Sequence, residues 1–235
     1  MVPLSFAGLD MAVAGEKALF WPDREALFVA DLHLEKASWY AGHGQPLPPY
    51  DSHATLEALA ATASQTGARA IWCLGDNFHD DDGEARLDGP AADLLARLIR
   101  DHDWTWITGN HDAALGGRFG GRVVAEQVLG PLMLRHEALA NDPRPELSGH
   151  FHPRMAIYLR GRNVSRRCFV ASPTKLILPA FGALTGGMAA DDPAILAALG
   201  NPANPAALIQ VGERLLRFPL GQRAERTGAA FARFA

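Results

Sequence analysis

The segment Leu27-Phe28-Val29-Ala30-Asp31-Leu32-His33 consists of four apolar residues followed by two polar side chains, Asp31 and His33, at alternate positions. A short apolar run of this kind is typical of a strand that is buried on both faces. The two polar residues follow directly where that strand ends. Because ligands bind at the carboxyl ends of strands in open α/β sheets, this junction predicts a functional site.

The same succession of an apolar run and a polar cluster occurs three more times along the chain. The clusters are Gly75-Asp76-Asn77-Phe78-His79, Gly109-Asn110-His111-Asp112 and Gly149-His150-Phe151-His152-Pro153. Taken singly, each cluster is more typical of a turn or of a solvated histidine than of a ligand set. Because all four occur in order, each behind a predicted buried strand, the sequence predicts one shared site.

The spacing of the polar residues suggests how they reach a common point. On an extended backbone alternate side chains point to the same side, so Asp31 and His33 are expected to share a face, as are His150 and His152. A glycine opens each of the other three clusters and permits close approach of the backbone. Carboxylate, amide and imidazole donors suit Mn, Fe or Zn, so the predicted site is a metal site.

The first half of the chain alternates predicted strands and helices, with helices expected at 51–64, which a cap at Asp51 begins, and at 91–100. From about Val123 onward strands and turns dominate, with hairpins expected at 123–136 and 207–220. The pattern predicts an α+β fold with two sheets inside and helices outside.

The predicted fold occupies a single domain, residues 1–220. Residues 191–205, rich in Pro, Ala and Asn, are expected to link to the last hairpin, and 221–235 to form a frayed tail. The two cysteines, Cys73 and Cys168, lie far apart, which is typical of free thiols in a reducing compartment. No apolar run approaches the length of a membrane span, so we expect a cytoplasmic protein with no membrane contact.

The composition of the 235-residue chain excludes a disordered protein, and its formal net charge of −4 argues against a bulk nucleic-acid coat protein. That average conceals a segregated charge. Between Leu147 and Ala190 the chain has no acidic residue, but it has six basic ones: Arg154, Arg160, Arg162, Arg166, Arg167 and Lys175. Because this stretch begins beside two predicted ligands, it favours a basic rim that holds phosphates. The alternative is that these arginines only keep the β-rich half soluble.

The four clusters, with a single histidine between the third and the fourth, resemble the motifs of the calcineurin-like metallophosphoesterases. That family's pattern is Asp-x-His, Gly-Asp-x-x-(Asp/His), Gly-Asn-His-(Asp/Glu), a single His, and Gly-His-x-His. The single histidine is best matched by His136, at the end of a predicted strand. The resemblance implies a four-layer αββα sandwich with two mixed β-sheets.

The resemblance also implies two divalent metal ions, most readily Mn, with Fe, Zn or Mg as alternatives. Its ligand sets, carried over residue by residue, are Asp31, His33, Asp76 and His152 for one ion, and Asp76, Asn110, His136 and His150 for the other. Asp76 would bridge the two ions, and a bridging hydroxide would attack phosphorus in line. His111 would protonate the leaving oxygen, Asp112 would orient the His111 ring, and His79 would be an outer-shell or substrate-facing residue.

A closer resemblance is to the ligase-associated DNA-damage-response endonucleases. It is carried by Leu19 to Ala37, Arg166 to Val170 and Leu176 to Gly187, although Glu35 replaces a glycine common in relatives. It implies DNA as substrate, a role in DNA repair, and a DNA ligase or helicase as partner. With it we expect substrate contacts from His79, Arg154, Arg162, Arg166 and Arg167.

Two other functions remain open from the sequence. One is a phosphodiesterase or pyrophosphatase acting on small nucleotide-type esters, because the same metal chemistry serves many phosphoesters. The other is a scaffold without catalysis, against which the complete ligand set argues.

Overall fold

The computed structural model describes residues 1–159 and 161–221, with Leu159 described by its backbone alone. Arg160 and nearly all of the expected tail, 222–235, lie outside the described residues, and the boundaries proposed for a single domain at 1–220 remain predictions.

The first sheet has seven strands in the order of the chain. They are β1 (Val2–Phe6), β2 (Leu9–Ala14), β3 (Ala18–Trp21), β4 (Ala26–Val29), β5 (Ala70–Leu74), β6 (Asp103–Ile107) and β7 (Arg122–Val124). Strands β1 to β4 pair antiparallel and β4 to β7 pair parallel, so the sheet is mixed. The β1–β2 hairpin was not predicted, because β1 buries its two end residues, Val2 and Phe6, and carries no continuous apolar run.

The second sheet also has seven strands, in the order β16-β15-β13-β14-β10-β9-β8. They are β8 (Glu126–Leu129), β9 (Leu132–Arg135), β10 (Glu146–Ser148), β13 (Phe169–Ala171), β14 (Lys175–Ile177), β15 (Ala206–Val211) and β16 (Arg214–Pro219). Strand β10 is parallel to both of its neighbours, and the other pairs are antiparallel. A separate antiparallel hairpin is made of β11 (Arg154–Leu159) and β12 (Arg162–Arg167).

The hairpin predicted at 207–220 is confirmed as β15–β16, whereas the one predicted at 123–136 is only half right. Strand β8 does pair with β9, but β7 belongs to the first sheet, where it pairs with β6. One residue, Ala125, separates β7 from β8. The chain therefore changes sheets within a stretch that looks like one continuous strand in sequence.

Five α-helices are present in the described residues: α1 (Lys36–Gly42), α2 (Asp51–Thr66), α3 (Gly83–Arg86), α4 (Gly89–Asp101) and α5 (Pro193–Ala198). The two predicted helices are confirmed as α2 and α4. The carboxylate of Asp51 does not cap α2 as predicted, because it accepts a hydrogen bond from the Ala37 backbone of α1 instead.

Residues 191–205 do link to the last hairpin as predicted, but they contain helix α5, which was not predicted. The Asp192 side chain caps α5 by accepting a hydrogen bond from the backbone N of Ala194, and Ile195 is fully buried.

The structure confirms the predicted four-layer sandwich. Three apolar clusters lie between its layers. Helices α2 and α4 pack on the outer face of the first sheet through residues such as Leu59 and Leu95. The two sheets pack face to face through Phe28, Trp72, Leu147 and others. The outer face of the second sheet is covered by α5, by side chains of the β11–β12 hairpin and by loop residues such as Phe151 and Met188.

Both cysteines are free and buried, and burial raises the pKa of the Cys168 thiol to about 12. None of the helices in the described residues has the length and apolar character needed to cross a bilayer.

A buried ionic network fixes the loop between β9 and β10. The Lys175 ammonium donates to a Glu146 carboxylate oxygen at 3.0 Å and to the backbone oxygen of Asp142 at 2.7 Å. Arg135 donates to the Asp142 carboxylate at 2.8 Å. Burial raises the pKa of Glu146, and the Lys175 ammonium opposes that rise. The sequence analysis placed Lys175 in a basic rim, and that prediction was wrong. Lys175 is the partner of a buried carboxylate, Glu146.

Replacing Lys175 with Met is expected to lower the free energy of unfolding by about 3–5 kcal/mol. It removes the cation that hydrogen-bonds to the buried Glu146 carboxylate and leaves, among the described residues, only the Arg135 guanidinium, whose Nε lies 3.5 Å from it. Urea denaturation measures this change. Adding Glu146→Leu to Lys175→Met should recover most of the loss, since an apolar pair fits the same buried space. The exposed pair of Arg69 and Glu25 is the control, and Arg69→Ala should cost less than about 1 kcal/mol. A loss at Lys175 as small as that of the control would contradict this assignment.

Candidate metal centre

The four polar clusters converge because their strands end at one crevice. Strands β4, β5 and β6 are adjacent and parallel in the first sheet, and each is followed by one cluster. Strand β10 carries the fourth cluster from the second sheet, and Ala30 and Ala180 bridge the two sheets beside it. The structure thus brings together all seven predicted metal ligands: Asp31, His33, Asp76, Asn110, His136, His150 and His152.

The first donor set consists of Asp31, His33, Asp76 and His152, whose donor atoms all lie within 4.8 Å of one another. The Nε2 atoms of His33 and His152 are 3.2 Å apart. His33 Nε2 lies 3.6 Å from Asp76 Oδ2, and His152 Nε2 lies 3.6 Å from Asp31 Oδ1. These four side chains are the ones predicted to hold the first ion.

The second donor set surrounds the other oxygen of Asp76. His136 Nε2 lies 3.4 Å from Asp76 Oδ1, 2.9 Å from Asn110 Oδ1 and 3.0 Å from His150 Nδ1. Each oxygen of the Asp76 carboxylate therefore faces a different donor set. This is the position that a bridging carboxylate requires.

The chemistry of the donors fits divalent transition metals. Two ligand nitrogens about 2.1 Å from one ion come to lie about 3.0–3.4 Å apart, and the ring nitrogens here have that spacing. Burial, with the neighbouring His152, lowers the pKa of His33 to about 2, so its imidazole is neutral as a ligand must be. The assignment of individual ligands remains a prediction.

The backbone of the ligand loops differs from the expected extended one. Five of the seven predicted ligands have positive φ angles: Asp31 53°, His33 45°, Asp76 44°, His150 73° and His152 49°. The pairs Asp31/His33 and His150/His152 therefore do not lie on extended backbone, so the argument from strand geometry was wrong. Asp31 and His33 do belong to one donor set, whereas His150 and His152 belong to different ones. Such residues cost about 1–3 kcal/mol each and persist where surrounding contacts hold them.

Hydrogen bonds between the loops supply those contacts. The backbone N of His33 donates to Asp76 O at 2.9 Å, and that of Asp31 donates to Gly75 O at 3.1 Å. The backbone N of His150 donates to the Asp31 carboxylate at 3.0 Å, which ties the second sheet to the first. His111 N donates to Asp76 Oδ1 at 3.0 Å.

The predicted role of the glycines is confirmed. A Cβ added at Gly75 would overlap the His136 ring, and one added at Gly109 would overlap the Asp76 carboxylate and backbone nitrogen. One added at Gly149 would lie 2.6 Å from Asp31 Oδ2. The absence of a side chain at these three positions lets the backbone approach the ligand side chains closely.

Asp112 does not orient the His111 ring, contrary to the prediction. Its carboxylate accepts hydrogen bonds from backbone N of Gly109, Asn77 and Phe78 at 2.7–3.2 Å, so it joins the second cluster to the third. The His111 ring is held instead by the backbone oxygen of His79, 2.8 Å from its Nδ1. Asp112 is therefore a positioning residue for the loops.

His79 lies beside the predicted leaving-group acid. Its ring stacks on that of His111 with centroids 5.2 Å apart, and its Nδ1 is 3.4 Å from His33 Nδ1. Burial and the nearby Lys36 ammonium lower the pKa of His79 to about 4. His79 is thus adjacent to the donor atoms without lying among the seven ligands.

The four predicted substrate-binding arginines divide between two faces of the β11–β12 hairpin. Arg154 and Arg167 are cross-strand partners; Arg154 donates to Ser165 Oγ, and half-buried Arg167 donates to Gly182 O. Arg162 and Arg166 are exposed on the opposite face. Two of the four arginines are therefore engaged in holding the structure, and two are open to solvent.

Sequence reasoning gave no role to Lys36, three residues after His33. Partial burial lowers the pKa of its ammonium, and the carboxylates of Asp51 and Asp76 oppose that fall. The Lys36 ammonium is therefore close enough to Asp76 to interact with its charge. Its position in the sequence, three residues after the ligand pair Asp31 and His33, could have identified it as a cation near the site.

The chain is similar to known proteins in sequence and in fold. The calcineurin-like phosphoesterase family matches residues 26–172, a range that includes every predicted ligand. The crystal structure of Pseudomonas putida nuclease MPE is similar over 92% of this chain and 98% of that chain, with 30% identity and a TM-score of 0.70. The structure of Yfce, a phosphoesterase from E. coli, aligns over 83% and 99% of the respective chains, with 14% identity and a TM-score of 0.42. No curated protein matches the sequence significantly.

Replacing Gly109 with Ala is expected to lower metal-dependent hydrolysis at least ~100-fold, because displacing Asp76 by even about 1 Å misplaces the reacting groups. Steady-state assays of the purified variant with saturating Mn²⁺ measure this. Gly186→Ala is the control, since a Cβ there meets no atom within 4 Å. Full activity in Gly109→Ala would show that the close packing around Asp76 is dispensable.

Proposed function

Because this chain belongs to the calcineurin-like phosphoesterase family, whose members hydrolyse phosphoesters with divalent metals, we propose that it is an endonuclease acting on DNA. The observation that carries this choice is the similarity to a nuclease over nearly the whole of both chains. That similarity extends beyond the ligand-bearing core of residues 26–172 to the β-rich second half of the chain.

The charge of the β11–β12 hairpin supports a polyanionic substrate. The hairpin begins at Arg154, two residues after His152, and carries the exposed guanidinium groups of Arg162 and Arg166. Phosphate contacts from such groups position a nucleic acid without reading its sequence. In the proposal these two arginines hold phosphates away from the metal centre, and Lys36 adds positive charge beside it.

The proposed reaction needs two divalent cations, for which we favour Mn²⁺. When bound, they would supply Lewis acidity to the phosphoryl oxygens and to the attacking water. Asp31, His33 and His152 would hold one cation, Asn110, His136 and His150 the other, and Asp76 both.

His111 is the residue that we propose to protonate the leaving oxygen. Its Nδ1 is directed at the backbone oxygen of His79, so its other nitrogen, Nε2, remains to donate the proton. Its ring also lies edge-on to the ligand His33, with centroids 5.1 Å apart, which keeps it beside the donor atoms.

The biological setting of this activity is also a proposal. DNA repair and a DNA ligase or helicase as partner rest on the sequence resemblance to the ligase-associated endonucleases. A cytoplasmic location rests instead on the two widely separated cysteines and on the sequence's lack of an apolar run as long as a membrane span. The alternative, hydrolysis of small nucleotide-type esters, uses the same metal centre and is an outcome of the experiment that follows.

Adding Mn²⁺ to metal-free protein should produce cleavage of plasmid and single-stranded DNA, measured on gels beside hydrolysis of a chromogenic phosphodiester. Asp76→Asn should reduce all three activities at least ~100-fold, since loss of even an outer partner of a metal ligand costs about 10- to 100-fold. Calorimetric titration with Mn²⁺ should show weakened binding in the same variant.

Two results would contradict the proposal. If Asp76→Asn keeps full activity, the assignment of a shared carboxylate is wrong. If only the small ester is cleaved and competing DNA does not inhibit, the protein is a small-molecule phosphodiesterase. His111→Ala should impair DNA cleavage more than hydrolysis of the chromogenic phosphodiester, because only the poorer leaving group of DNA needs a proton.

The double variant Arg162→Ala/Arg166→Ala should raise KM for DNA. In a plot of the logarithm of DNA affinity against the logarithm of salt concentration, it should reduce the slope by up to about 2. Turnover of the small ester should not change. The control is Arg214→Ala/Arg217→Ala, which removes two exposed arginines from β16 at the far edge of the second sheet. Equal effects of the two double variants would exclude a specific role for the hairpin.

A further inference from the structure

Helix α1 carries a group of aromatic side chains on its surface. The rings of Trp39 and His43 stack at a centroid distance of 4.0 Å and an angle of 27°, and Tyr40 meets Trp39 edge-on at 5.2 Å. His43 is exposed, and Trp39 and Tyr40 are half-buried. We refer to Trp39, Tyr40 and His43 as the α1 aromatic cluster.

The α1 aromatic cluster is continuous with the metal centre. The ring of His79 meets Trp39 edge-on at 5.1 Å and lies nearly parallel to Tyr40, at 14° and 6.2 Å. His79 in turn lies nearly parallel to His111, at 19°. The rings of His111, His79 and Tyr40 therefore have similar orientations, from the proposed proton donor outward to α1.

Core packing does not account for this cluster. Of the residues of α1, only Ala37 is buried. The other four tryptophans of the chain, Trp21, Trp72, Trp104 and Trp106, are each at most 6% exposed, so Trp39 is the only tryptophan that is not buried. Large aromatic rings left open beside a reaction centre are groups that can bind a flat apolar ligand.

We propose that the α1 aromatic cluster binds a nucleobase next to the scissile phosphate by stacking. The inference rests on the proposed function and adds a second kind of contact to it. Aromatic side chains stack on any base because every base has a π-face, so the contact positions the substrate without selecting a sequence. His79 and His111 connect this subsite to the point where the phosphodiester is cleaved.

Tryptophan fluorescence tests binding without catalysis. In EDTA, a short oligonucleotide should quench the emission of the wild-type protein, because Trp39 is the only accessible tryptophan. An oligonucleotide of equal length in which tetrahydrofuran units replace the bases should quench much less. Trp39→Phe should lose the base-dependent quenching while keeping its affinity for the oligonucleotide.

Kinetics test the same contact during turnover. With Mn²⁺, wild-type protein should cleave the oligonucleotide with a KM roughly 5- to 100-fold lower than the abasic one, a range expected from the loss of one stacked base. Trp39→Ala/His43→Ala should raise KM for the base-bearing substrate and remove this difference, with kcat much less affected. Trp39→Phe should retain most of the difference, and thermal unfolding of each variant verifies the fold.

The two proposals fail in different ways. If wild-type protein neither binds nor cleaves any oligonucleotide, DNA is not the substrate and the proposed function fails. If it cleaves both oligonucleotides with equal KM, or if Trp39→Ala/His43→Ala keeps the full preference for bases, only the stacking subsite is wrong.

Discussion

Two buried carboxylates set the central constraint of this structure. Asp31 is fully buried and Asp76 is 2% exposed, and both lie between the loops of two sheets. Burying an ionised carboxylate costs several kcal/mol unless opposite charge and hydrogen bonds compensate it. In the described part of the chain the ion-pair partners of these two groups are all imidazoles. Backbone N–H groups of His111 and His150 compensate in part, and divalent cations would supply the missing positive charge.

That constraint explains why the loops have their unusual backbone. To surround two carboxylates with donors, four loops must approach one another more closely than ordinary side chains permit. Gly75, Gly109 and Gly149 remove the side chains that would collide, and left-handed residues turn the chain sharply between ligands. The strain is held by hydrogen bonds that cross from loop to loop and by the Asp112 carboxylate. Folding of the loops and formation of the donor sets are therefore one process.

Much of this architecture was predictable because it depends on local patterns. Apolar runs identify β4, β5 and β6, and glycine before a ligand indicates close approach. The sheet change at Ala125, the buried role of Lys175 and the true partners of Asp112 were not predictable, because each depends on contacts between distant segments. Glu35 is a further example: it takes φ 64°, and Ser52, 17 residues away, hydrogen-bonds to both its backbone N and its carboxylate.

The surroundings of the centre bear on the choice of substrate more than the centre itself does. Two flanks adjoin it: the hairpin that begins two residues after His152 and carries exposed arginines, and the row of aromatic rings that leads from His111 through His79 to α1. A small ester bound at the donor sets would contact neither flank fully. The binding energy that the two flanks can offer a substrate would then be unused. Binding energy from parts of a substrate remote from the reacting bond helps to orient that bond for reaction. A chain of phosphates and bases is the substrate that can engage both flanks at once, and this is the physical reason for preferring a nucleic acid.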